Sequence, residues 1–184
     1  MKWLDLTYSD FYIPYDENQK VIRGYWLSTL GINLEELPDC FQKPFYYYES
    51  SQEQKGTLKS QKVSLSEIVG TSHTDYGGMK IIESYMRLKR APSYIKDGRV
   101  TRSKYFYQLK RPAHEQVAPV TLSRLDNGKY YIDSNGNHRI VFYQLMMLSE
   151  ISTTYPLANA EDYNLRTFDN IKKRYWLNAM VKSV

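Results

Sequence analysis

The chain has 184 residues, enough for one full domain with its own core, and 42% of them are hydrophobic, which excludes disorder throughout. Its single cysteine, Cys40, rules out an internal disulfide and a Cys-rich metal site. The formal charge is only +5, no apolar run is long enough for a bilayer, and residues 1–20 lack the apolar stretch of a signal peptide, so a cytoplasmic location without a membrane partner is expected.

Taken in chain order, residues 1–56 are aromatic and acidic-leaning, with Pro14, Pro38 and Pro44 as breaks. They read as an N-terminal extension on the main domain of 57–184. Within them Asn33–Leu37 suggests a helical turn or two stopped by Pro38, and Phe45–Tyr48 has the aromatic content of a strand. Ser50–Ser60 is polar and reads as a loop or linker. Val63–Ile68 alternates as a short strand does. Met79–Arg90 carries apolar residues at mostly helical spacing, with Pro92 to end it. The stretch from about 91 to 114 reads as a basic insertion, a loop with a short helix or ribbon. Val117–Leu125 and Lys129–Asp133 are strands joined by Asp126-Asn127-Gly128, a strong tight-turn signal. A helix of roughly 137–149, apolar nearly all round, belongs in the core. Thr153–Leu157 suggests another strand, and about Asp162–Val181 a C-terminal amphipathic helix. The fold class is therefore α+β: a small mixed sheet packed with helices.

The charge is concentrated. Between Lys80 and Arg111 ten cations face two anions, leaving the rest of the chain net acidic. Arg87, Lys89, Arg90, Arg99, Arg102, Lys104, Lys110 and Arg111 are candidate contacts to nucleic-acid phosphates, with Tyr94, Tyr105, Phe106 and Tyr107 interleaved among them. The alternative is a solvated charged face. The 18 tyrosines fit half-buried packing, a surface for a protein partner, or stacking on bases.

Strand, tight turn and helix converge on Gly136-Asn137-His138-Arg139. A helix start has backbone N–H groups without intrahelical partners and the positive end of the dipole, and a glycine and a cation there suit an anion. The order VSLSEI, MKIIESYMRL, then PVTLSRLDNGKYYIDSNGNHRIVFYQLM resembles the ParB/sulfiredoxin superfamily over about residues 62–158. Its Gly-x-x-Arg motif matches Gly136–Arg139. The resemblance implies a ParB-like protein of bacterial or mobile-element origin that binds a nucleotide, ATP or CTP with Mg²⁺, or DNA. Gly136 would then admit close backbone approach, Asn137 and His138 would donate, Arg139 would pair with a phosphate, and Lys80 would add a looser contact. Sulfiredoxins carry Cys where this chain has Asn137, and an amide cannot replace the thiolate, so that activity is not expected. Phe142 stands where the longer family pattern has a small residue. The residues after 158 are too few for the helix-turn-helix region that follows this domain in ParB proteins.

Other readings stay open. The same pocket would serve a nucleoside triphosphatase or nuclease, with His138 and Asp133 as candidate catalytic groups. Asp133 would orient His138 or Arg139, bind a metal, or cap its turn. Arg139 would otherwise form an ion pair with Asp133 or another carboxylate. His73 and Asp75 either reach the pocket or belong to an ordinary loop. Cys40, with no cation read as its neighbour, is expected to be an inert thiol.

Overall fold

The tight turn at Asp126-Asn127-Gly128 closes as its composition requires, the Gly128 N–H donating to the Leu125 carbonyl at 2.9 Å. It joins β7 (Thr121–Arg124) to β8 (Tyr130–Ile132), with Leu122 opposite Ile132 and both fully buried. This is seen in a computed structural model, which describes residues 28, 39–50, 56–88, 95–96, 99–100, 108–154 and 165–182.

The hairpin is the middle of a seven-stranded mixed sheet. Its other strands are β1 (Pro44–Tyr47), β2 (Leu58–Ser64), β3 (Ile68–Thr71), β4 (Met79–Lys80) and β9 (Trp176–Lys182). The order is β2-β9-β7-β8-β3-β1-β4. Strand β3 runs parallel to both β8 and β1, β9 is parallel to β7, and β2 and β4 are antiparallel edges. A separate two-stranded ribbon pairs β5 (Ile95–Lys96) with β6 (Arg99–Val100) inside the basic stretch. Among the described residues the helices include α1 (Ile81–Met86), α2 (Asn137–Thr154) and α3 (Leu165–Arg174).

Helix α2 is the core element. Ile140, Val141, Phe142 and Leu145 are completely buried, and Met146, Met147, Leu148 and Ile151 nearly so. Its polar residue Gln144 is buried because Nε2 donates to the Leu65 and Ile68 carbonyls at 3.2 and 2.7 Å, fixing the turn between β2 and β3. Phe142 fills its space against Tyr85 of α1, ring centroids 6.1 Å apart. On the other side of the sheet Tyr48 stacks on Tyr131 at 4.9 Å. Gly70 is required there, since a Cβ would sit 2.3 Å from the Tyr46 carbonyl oxygen.

The mixed α and β composition and the hairpin match expectation, while several boundaries move. Strand β1 lies inside the sheet, so residues 44–47 belong to the main domain and not to an extension ending at 56. Strand β2 starts at Leu58, within the stretch read as a loop. The alternation over Val63–Ile68 is broken by a 3-10 turn at Leu65–Glu67, held where the Leu65 N–H donates to the Tyr175 carbonyl at 3.0 Å. The expected helix of Met79–Arg90 is only Ile81–Met86, because Met79 and Lys80 pair with Phe45 and Pro44. Helix α2 runs to Thr154 and takes up the start of the strand expected at Thr153–Leu157, whose remainder lies outside the described residues.

The largest correction is the C-terminus. The helix stops at Arg174, and β9 follows as an interior strand between β2 and β7. Leu177, Ala179 and Val181 are buried while Trp176, Asn178, Met180 and Lys182 are partly exposed, the alternation of a strand with one face on the core. The helical turn expected at Asn33–Leu37 lies outside the described residues. Among the described residues no helix is long and apolar enough to cross a membrane.

Candidate functional site

Strands β3 and β8 are parallel neighbours, so their C-terminal ends deliver Thr71 and Ile132 side by side, and the loop after β8 leads into α2. In open α/β sheets ligands bind outside the carboxyl ends of parallel strands. The Ile140 N–H takes the Gly136 carbonyl at 2.9 Å, which sets Asn137, His138 and Arg139 as the first turn of α2. The predicted residues Gly136, Asn137, His138 and Arg139 therefore meet at one mouth.

Polar groups from β3 line that mouth. Thr71 is buried, and its hydroxyl donates to Asn137 Oδ1 at 2.5 Å while accepting the His73 N–H at 3.0 Å. The Ser72 hydroxyl donates to the Asp133 carbonyl. The Tyr76 and Gly77 N–H groups both donate to the His73 carbonyl, a turn that sets the Tyr76 ring 4.6 Å from His73 and 5.3 Å from His138. The Tyr76 hydroxyl lies 3.3 Å from His138 Nε2, so that oxygen and nitrogen share a hydrogen bond. The Asp75 N–H donates to His73 Nδ1 at 3.2 Å, which places the proton of a neutral His73 on Nε2. His73 thus belongs to the site, Asp75 supports it through its backbone, and Thr71, Ser72 and Tyr76 join unannounced by any sequence motif.

Two members behave differently from expectation. Gly136 has φ +119, and a Cβ there would lie 2.8 Å from Val120 Cγ2, so Val120 occupies the space a side chain would need. Arg139 donates from Nη2 to the Ala118 carbonyl at 2.5 Å, which ties the start of α2 to the segment entering β7. The Asp133 carboxylate is directed to partners other than His138 and Arg139. Its Oδ1 accepts from the Ser50 hydroxyl at 3.2 Å, and Oδ2 lies 3.9 Å from Lys182 Nζ, with both charged side chains largely buried. That pairing spends the carboxylate next to the mouth. Among the described residues no three His, Cys, Asp or Glu side chains gather to hold a metal.

Lys80 sits on the edge strand β4, separated from β8 by β1 and β3, where its N–H donates to Glu83 at 2.8 Å and starts α1. It is exposed and is not drawn to the mouth by any described bond. Of the basic candidates, Arg87 is exposed at the end of α1. Lys110 Nζ donates to the Arg174 carbonyl at 3.3 Å and lies 5.0 Å from the Trp176 ring centroid, with Lys62 at 4.3 Å. Arg111 is exposed, and its carbonyl accepts from Asn178 Nδ2 at 3.1 Å. Arg99 lies on β6, whereas Lys89, Arg90, Arg102 and Lys104 lie outside the described residues. Cys40, read as having no cation near it, shares the wall of a cavity with Lys43 and Lys172.

The chain matches no protein-family model, no curated protein and no solved structure.

Proposed function

We propose that the mouth of α2 binds the phosphate of a nucleotide, as the resemblance of its sequence to the ParB/sulfiredoxin superfamily implies. The observation that carries this reading is the placement of Asn137, His138 and Arg139 on the first turn of an 18-residue helix, beside the carboxyl ends of two parallel strands. Backbone N–H groups and the helix dipole favour an anion there. His138, oriented by Tyr76, supplies an imidazole, and Arg139 adds a permanent positive charge on the same turn. Asn137 is held by Thr71 with its amide nitrogen as the donor left for a ligand.

Binding is favoured over hydrolysis because Asp133, the carboxylate on the loop, is already paired with Lys182 and Ser50. A bound Mg²⁺ would neutralise phosphate charge, and ATP or CTP are the nucleotides to try first. The test is a thermal-shift screen of ATP, CTP and GTP with and without Mg²⁺. A ligand that binds only the folded chain raises the melting temperature. The shift is expected for at least one nucleotide and is expected to vanish in Arg139→Ala. Equal shifts in wild type and Arg139→Ala would remove the mouth from consideration.

DNA contact along the basic stretch is the companion proposal, motivated by ten cations against two anions between Lys80 and Arg111. Fluorescence anisotropy at low salt should show affinity for DNA that falls steeply as salt is added. Absence of binding to both single- and double-stranded DNA rejects it.

A further inference from the structure

A second site lies at the other half of α2. Between the start of β1, the turn before β3, α2 and α3 there is a cavity of about 150 Å³. Its floor is apolar, built from Phe45, Ile68, Ile81, Met147, Leu148 and Ile151. Its rim is not: Lys43 and Lys172 both line it. Gln144, locked by its two bonds to the Leu65 and Ile68 carbonyls, holds the wall rigid.

Two cations at the edge of an apolar space is an arrangement that costs stability. Burial pushes the Lys172 ammonium below its ordinary range, Lys43 and Lys129 push it the same way, and Asp169 opposes them. Two cations that line the edge of one apolar space suit an anion with an apolar body. The volume sets the size of that body, since an engineered apolar cavity of about 150 Å³ admits benzene. A whole nucleotide is too large for such a space.

We propose that this cavity binds a small apolar carboxylate, one six-membered ring or an equivalent branched chain, with its ring over Ile68, Met147 and Ile151 and its carboxylate between Lys43 and Lys172. The site is independent of the mouth of α2. Gln144 and Ile151 lie 7 and 14 residues along the helix from Asn137, which is roughly 10 and 21 Å of axis.

Benzoate is the probe, titrated calorimetrically into the full chain, with benzamide as the uncharged isostere and acetate as the anion without a ring. Benzoate should bind, with benzamide and acetate each weaker by about tenfold or more, the scale of one charge-assisted contact or one buried ring. Lys172→Met and Lys43→Met should each weaken benzoate and leave benzamide unchanged. Both replacements are at the rim, so the melting curve of each variant should stay cooperative. Met147→Trp, which fills the space, should abolish binding. Arg139→Ala should bind benzoate as wild type does, which separates this site from the nucleotide reading. Equal affinity for benzoate and benzamide, unchanged benzoate affinity in the lysine variants, or no heat from benzoate at millimolar concentration would each overturn the assignment.

Discussion

At the scale of single residues, the mouth of α2 shows how one glycine serves a purpose other than the one its motif suggests. In Gly136-x-x-Arg139 the glycine is expected to let a phosphate approach the backbone. Here the direction a Cβ would take is filled by Val120, with Cγ2 at 2.8 Å and Cγ1 at 2.9 Å, and the φ of +119 is itself unfavourable for any L side chain. Gly136→Ala should therefore destabilise the fold by about 1–3 kcal/mol from backbone strain alone. Displacing Val120 adds to that cost. Urea unfolding reads the loss, and adding Val120→Ala should recover only the steric part. An alanine variant as stable as wild type but unable to bind nucleotide would restore the phosphate explanation for the glycine. Asp133 follows the same logic. Its charge is balanced by Lys182 on the last strand, a partner that no local spacing reveals.

At the scale of elements, what could be read from the sequence is what short-range chemistry decides. Asp126-Asn127-Gly128 fixes the hairpin, and the unbroken apolar face of Ile140–Leu148 fixes α2, because turn conformation and burial are properties of neighbouring residues. The C-terminus misled because Trp176 and Met180 are four apart, a spacing shared by one face of a helix and one face of a strand. The deciding signal was Leu177, Ala179 and Val181, which alternate and are buried. Strand β1 was visible as aromatic residues, but its parallel partner β3 was not. Parallel pairing of Tyr46 with Gly70 joins segments far apart in the chain, and no local pattern encodes it. The same long-range pairing assembled the site: Thr71 reaches Asn137, and Tyr76 reaches His138, only because β3 lies beside β8. The motif supplied half of the mouth, and sheet topology supplied the other half.

At the scale of the whole molecule, α2 acts as a strut about 27 Å long with a polar mouth at its first turn and a cationic cavity beside its second half. Cations also gather outside the basic stretch, since Lys43 and Lys129 both act on Lys172 of α3, with Asp169 as the acid that opposes them. This arrangement gives stability a definite pH dependence. The folded chain lowers the Lys172 value, so between that lowered value and the ordinary lysine value the unfolded chain holds more protons. Stability contributed by this group therefore rises with pH across that window and is at its least below it. Lys172→Met removes this partly buried cation, so the variant should unfold at higher urea than wild type near neutral pH. The gap should narrow as pH climbs through the ordinary lysine value, above which wild-type Lys172 is neutral in both states. Occupation of the cavity by benzoate should reverse the trend for wild type, because a bound carboxylate favours the charged ammonium, and its affinity should fall as pH rises through the same window. A gap between the two proteins that stays constant with pH would mean that Lys172 keeps its ordinary value and that the cavity rim carries no electrostatic strain for a ligand to relieve.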